Sequence, residues 1–283
     1  MPFRSVRFLS AFVLVLPAFA QSGTVGSTSY SNSAGVARGT MHLSPRPFMG
    51  PVVTGAPYSA QRVNEHVQVA VDGTRFTTTN QQETIYRDSQ GRTRTERPMM
   101  MGPNVADSPV LVEISDPVAN VGYTLDTQNK IAHRYKYADL PGRQMAATAA
   151  VRSGSFSATA PPPPPPPPTA AVRPRPDTAR EDLGPQMIEG VLAKGQRFVQ
   201  TWPVNSQGND RPFQTTSETW MSTELNLVVL SKNIDPRSGE NSTKLLNISR
   251  SDPAPTLFAP PPDYTIVDET GPFDIQWTNA RPQ

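Results

Sequence analysis

The chain has 283 residues, no cysteine, and 26 Lys+Arg against 24 Asp+Glu, a formal net charge of +2. That length is ample for a sizeable core, and without disulfides the core has to be an ordinary hydrophobic one. The near balance of charge argues against nucleic acid or an anionic membrane surface as the main partner, because either needs a basic excess. The missing cysteines exclude thiolate metal sites, cysteine nucleophiles and an N-terminal lipid anchor on a cysteine.

Arg4 and Arg7 open the chain, an apolar run follows from Phe8 to Phe19, and Ala18-Phe19-Ala20 ends it with small residues. That order predicts a signal peptide over 1–20, read at Ala18 and Ala20 and cut before Gln21. The run is too short to cross a bilayer, which takes about 20 apolar residues. The mature chain is therefore expected to be exported and soluble, without a transmembrane segment. Removing Arg4 and Arg7 leaves 24 basic residues against 24 acidic ones. An exported domain of this size without disulfides points to a bacterial periplasm or the outside of a bacterial cell. The sequons at Asn241 and Asn247 are read as chance.

Residues 21–57 are rich in Gly, Ser, Thr and Pro without periodicity and read as a flexible arm. A first β block is expected over 58–138. Val67, Val69 and Val71 alternate up to a turn at Asp72-Gly73, and Thr74 to Thr79 returns. Glu83 to Arg87 and Arg92 to Glu96 flank a turn at Asp88–Gly91. Val110, Val112 and Ile114 share a face, as do Val121, Tyr123 and Leu125, and then Ile131, His133, Tyr135 and Tyr137. This period of two predicts an antiparallel sheet.

Residues 139–182 read as a disordered insert built around Pro161–Pro168, a polyproline II rod of about 25 Å. A second β block is expected over 183–270, completing the same sheet. Met187–Leu192 and Arg197–Pro203 read as a hairpin turning at Ala193-Lys194-Gly195. Pro212–Met221 pairs with Leu225–Ile234, and a turn at Asp235–Gly239 leads into Ser242–Ser249. Helix is scarce, with short candidates near Ser251–Leu257 or Tyr58–His66. Residues 271–283 read as a tail. The fold class expected is mainly β: a long curved antiparallel sheet, or half-barrel, with little helix.

Reaction chemistry is thin. His42, His66 and His133 form no H-x-H or H-E-x-x-H pattern, and no calcium loop, nucleophile elbow, P-loop or dinucleotide fingerprint occurs. No catalytic residue, metal ligand or cofactor is assigned, and the chain reads as a non-enzyme. Asp72, Asp88, Asp116, Asp126 and Asp235 fall in turns, where carboxylates cap backbone N–H groups. Arg87, Arg92, Arg94 and Arg97 could grip an anion, or form an outer face paired with Glu83, Asp88 and Glu96. Aromatic residues give the most usable hint. Phe198 and Trp202 share a strand face, Trp220 lies on a nearby strand and Tyr123 in the first block. They are the candidate ligand-binding residues, with core packing as the plainer reading.

The C-terminal block carries a resemblance. Glu218-Thr219-Trp220, Leu225–Leu230, the turn at Asp235–Gly239, Leu245–Ile248 and Leu257-Phe258 through Pro260–Asp263 to Tyr264 run in an order that resembles the LolA/RseB-like periplasmic half-barrel superfamily. Asp72-Gly73 and Tyr86–Arg92 fit the same style of hairpin. The pattern is also similar to uncharacterised secreted proteins of the kind found in Acidobacteria. The resemblance implies a curled antiparallel sheet with a concave apolar face that holds lipid or another hydrophobic ligand, or senses envelope stress. It implies no catalytic residue. The function expected is an exported binding protein for a hydrophobic or lipidic ligand. The alternative is a structural or interaction protein of the envelope, binding an envelope protein partner and using the polyproline segment as spacer or docking site. A third class, a hydrolase, needs two carboxylates about 5–9 Å apart in a cleft.

Overall fold

The computed structural model describes residues 24–33, 36–45, 51–99, 108–140 and 175–279. The signal peptide with Ala18, Ala20 and Gln21, and the rod Pro161–Pro168, lie outside the described residues. The described chain is mainly β, as the alternation requires. Its strands are β1 (Thr24–Ser33), β2 (Val36–Pro45), β3 (Tyr58–Val69), β4 (Arg75–Arg87), β5 (Thr93–Pro98), β6 (Val110–Asp116), β7 (Val121–Asp126) and β8 (Ile131–Lys136). After residues 141–174 come β9 (Asp177–Ile188), β10 (Val191–Trp202), β11 (Phe213–Ser222), β12 (Leu227–Asp235), β13 (Gly239–Ser249), β14 (Thr265–Asp268) and β15 (Phe273–Asn279).

Twelve strands form one sheet in the order β14-β8-β7-β6-β5-β4-β3-β13-β12-β11-β10-β9. All neighbours are antiparallel except β14, which runs parallel to β8. The edges β14 and β9 do not pair with each other, so the sheet is an open, curved half-barrel rather than a closed barrel. The two blocks of the sequence meet where β13 pairs with β3, with Lys244 opposite Val63.

The middle strands β6 to β8 bury residues of both parities, which requires a cover on each face. One cover is the segment around Pro255–Phe258, a single turn of 3-10 helix. Phe258 packs there with Val112, Ile114, Leu125 and Ala132. Arg94 Nη1 donates to the Leu257 carbonyl at 3.0 Å and fixes that turn to the sheet. The other cover is a separate three-stranded sheet, β1-β2-β15. Met41 and Leu43 of β2 alternate onto the same side as Phe273, Ile275 and Trp277 of β15, and this side packs on Met99 and Leu111.

Several expectations change here. Residues 24–33 and 36–45, read as part of an arm, form β1 and β2, because Met41 and Leu43 have an apolar strand and a sheet to cover. The tail reading fails over Phe273–Asn279 for the same reason. Tyr58–His66 is strand, since a central position between β4 and β13 satisfies both of its backbone edges. The second block starts earlier than residue 183, with β9 entering at Asp177. Its first hairpin turns at Glu189-Gly190, not at Ala193-Lys194-Gly195. Glu189 and Gly190 both have positive φ (49° and 76°), which a two-residue hairpin turn of type I′ demands. Gly195 instead lies inside β10 opposite Trp220. A Cβ there would stand 2.7 Å from the indole ring, so the glycine makes room for the tryptophan.

Candidate binding face

Cross-strand register decides which aromatic residues meet. From Ala193–Ser222 to Trp202–Phe213, β10 and β11 pair without interruption. Opposed residues in an antiparallel pair share a face. Phe198 and Trp202 therefore lie on one face, with Ser217 and Phe213 opposite them, whereas Trp220, opposite Gly195, lies on the other. The tryptophans read together from the sequence are separated by the thickness of the sheet.

Trp220 belongs to a filled cluster. It packs with Val191, Ala193, Leu225, Leu227 and Val229 and retains 9% exposure. Tyr123 is elsewhere again: half-buried, opposite Ile114 and Arg134, packed beside Phe258 under the 3-10 turn. Both side chains pack within these clusters.

The face with Phe198 and Trp202 has a different character. Trp202 and Phe213 stack with ring centroids 6.1 Å apart and an interplanar angle of 14°. The indole N–H of Trp202 donates to Thr215 Oγ1 at 3.2 Å, which fixes the ring. The Arg237 guanidinium lies 4.9 Å from the Phe213 ring centre and also grips Asp235 through two nitrogens. This hydrogen-bonded contact holds the Asp235 carboxyl below its usual range and raises Arg237, so both stay ionised. Arg180 of β9 lies 5.4 Å from the Phe198 ring centre. Met187 and Leu192, opposed near the turn of the same ribbon, are exposed. Among the described residues, these ring contacts are made to groups of the same sheet and its β12–β13 turn. The arrangement offers flat apolar rings flanked by guanidiniums, suited to a partner that combines apolar and anionic groups. Phe213 and Arg237 were not read from the sequence. The signal available for Phe213 was its place at the start of a predicted strand, but its pairing with Trp202 is a matter of register.

The polar candidates are engaged in the fold. Arg87 is buried, donating Nε to the Ala56 carbonyl at 3.0 Å and Nη2 to the Leu225 carbonyl, with Tyr58 against its face. Burial lowers its pKa and raises that of Tyr58. Arg92 pairs with Asp88, Arg94 with Glu96 and Arg97 with Glu113, so these four do not converge on an anion site. His42 pairs with Asp274, His66 with Asn241 and His133 with Glu269, each in a different place. His133 also stacks on Phe273 with centroids 4.3 Å apart, joining the two sheets. Among the described residues no group of three or more His, Asp or Glu is placed to hold a metal ion. Among them, too, no helix is long and apolar enough to cross a membrane.

No family model matches the sequence, and no curated protein matches it. Among solved structures the chain is similar to an uncharacterized conserved protein from Thermus thermophilus, at 11% identity and TM-score 0.35, over 76% of this chain and 91% of that one. It is similar to a chain of the Pseudomonas aeruginosa MucA/MucB complex at 10% identity and TM-score 0.34. That match covers 75% of this chain and 58% of the other, so this chain spans little more than half of its neighbour. A LolA superfamily protein from Nitrosomonas europaea matches at 10% identity and TM-score 0.25, over 72% of this chain and 90% of that one. The acidobacterial likeness has no counterpart among these three.

Proposed function

We propose that the chain is an exported, non-catalytic binding protein of the bacterial envelope, and that a hydrophobic or lipidic ligand lies on the β9–β11 face. One observation carries this reading: the half-exposed Trp202–Phe213 stack with Arg237 against Phe213, and Phe198 with Arg180 beside it. An acyl or other apolar group would lie along the rings, and an anionic group would meet Arg180. Export into the periplasm or beyond rests on the predicted leader, and a mature mass starting at Gln21 would support it.

A second reading, an envelope protein as the partner, is favoured by one feature. Trp202 and Phe213 are half-exposed and stacked, with the Arg237 guanidinium against Phe213. Tryptophan and arginine are enriched at protein interfaces. The polyproline segment would then serve as spacer or docking site.

Native mass spectrometry of the mature chain from its own envelope fraction, followed by lipid extraction, tests both. A stoichiometric lipid that is lost in Trp202→Ala supports the first reading. A co-purifying protein lost in the same variant supports the second. A clean apo mass with no uptake of an added fluorescent fatty acid, and no protein that depends on Trp202, rejects the face as a binding site.

A further inference from the structure

The large sheet has a free edge in an unexpected place. β5 pairs with β4 only over Thr84–Arg87, whereas β3 pairs with β4 from Arg75 onward. Among the described residues, the outer side of β4 from Arg75 to Glu83 therefore has no strand beside it. On the other flank, β13 begins pairing with β3 only at Glu240–Val67. The tip of the β3–β4 hairpin thus projects beyond the strands on both sides. Residues 71–79 are all exposed, Phe76 among them at 58%.

Hydrogen-bond alternation shows which backbone groups face outward. The Ala70 N–H donates to the Thr74 carbonyl, so that pair is hydrogen-bonded. Antiparallel ladders alternate, and the register pairs Val69 with Arg75, Val67 with Thr77 and Glu65 with Thr79. Arg75, Thr77 and Thr79 therefore direct N–H and C=O away from β3, toward the free edge.

Of the two terminal strands of the sheet, β14 is an edge of only four residues, and β9 is guarded. It carries a register break at Gly184, a proline at 185 and the consecutive charges Arg180, Glu181 and Asp182. These are ordinary devices against edge-to-edge pairing. The β4 edge over Arg75–Asn80 has none of them. Its register with β3 is unbroken up to the irregularity between Asn80 and Gln82, it lacks proline, and Arg75 is its one charge before Glu83.

We propose that this edge pairs with the same edge of a second copy of the chain, antiparallel about a two-fold axis at Thr77. In that register Thr77 faces Thr77 of the second copy, Arg75 faces Thr79 and Phe76 faces Thr78. No like charges oppose each other, and every outward N–H and C=O from Arg75 to Thr79 gains a partner. The equivalent pairing of β9 about Arg180 or Glu181 would set like charges face to face. Self-pairing of β4 joins the two half-barrels into one continuous sheet and gives the exposed Phe76 a neighbour.

Light scattering and native mass spectrometry of the full mature chain over a concentration series test this. A dimer is expected. Thr77→Pro removes an outward N–H without touching the β3–β4 ladder, so it should leave a folded monomer by circular dichroism. Thr79→Glu, facing Arg75 of the second copy, should tighten the dimer about fivefold, and Thr79→Lys should loosen it about fivefold. The amides of Thr77 and Thr79 should exchange slowly in the dimer and rapidly in Thr79→Lys at monomeric concentrations. A chain that is monomeric throughout overturns the proposal. So does a dimer indifferent to all three substitutions, or a monomer whose Thr79 amide is already protected by another segment or another protein. If Thr77→Pro does not fold, the opposite shifts of the two Thr79 variants decide.

Discussion

The strands β6 to β8 and the ribbon β9–β11 belong to one sheet and are built on different terms. Leu111, Ile114, Leu125 and Ala132 are buried on one face or the other of the first region, and each face has its own cover. In the second region β9 is exposed along almost its whole length, and Phe198, Trp202 and Phe213 are only half-buried. Continuous hydrogen bonding does not make a sheet uniform. Covered strands supply stability, and an uncovered one leaves aromatic surface available for a partner.

The contrast is broken hardest by removing a cover. Trp277, 2% exposed, ties β15 to the large sheet. Trp277→Ala is expected to cost about 3–5 kcal/mol in urea unfolding, as large buried aromatic deletions do. Next comes Arg87→Leu, which leaves the Ala56 and Leu225 carbonyls without their donor. A loss of about 2–3 kcal/mol is expected. Gly195→Ala pushes a methyl group into the Trp220 ring and should cost about 1–3 kcal/mol, with a shifted fluorescence maximum as the indole is displaced. Trp202→Ala removes one half-exposed stack and one hydrogen bond and should cost only about 1 kcal/mol while abolishing ligand uptake. The same residue type at 277 and at 202 thus separates packing from binding.

The smallest expected effect is at β14. Arg134 grips Asp268 and Lys130 grips Asp263, and these hydrogen bonds lower both carboxyls from the ordinary 3.8. A lowered carboxyl contributes stability above its unfolded value and loses it as pH falls through the folded one. Amides of Thr265–Asp268 should therefore lose protection below about pH 4, after correction for intrinsic rates, while those of β6 and β7 hold.

The sequence showed strand existence well where apolar residues alternate beside clear turns, as in Val110–Ile114 and Val121–Leu125. It misled where a residue has two uses. Gly195 looks like a turn residue and is a space for an indole. Met41 and Leu43 are too few to signal a strand until Phe273, Ile275 and Trp277 stand beside them. The shared face of Phe198 and Trp202 was legible from their spacing. The separation of Trp220 was not, because register depends on the partner strand, and nothing in β10 alone encodes it.

The small sheet carries one more consequence, for the order of events. β2 and β15 meet through residues such as His42 and Asp274, 232 positions apart. A chain released only as far as β14 has nothing to pair with the outer edge of β2, and Leu111 and Met99 stay uncovered. Contacts this distant in sequence form late and slowly. During synthesis the small sheet and the face of the large sheet that it covers would stay open until β15 arrived.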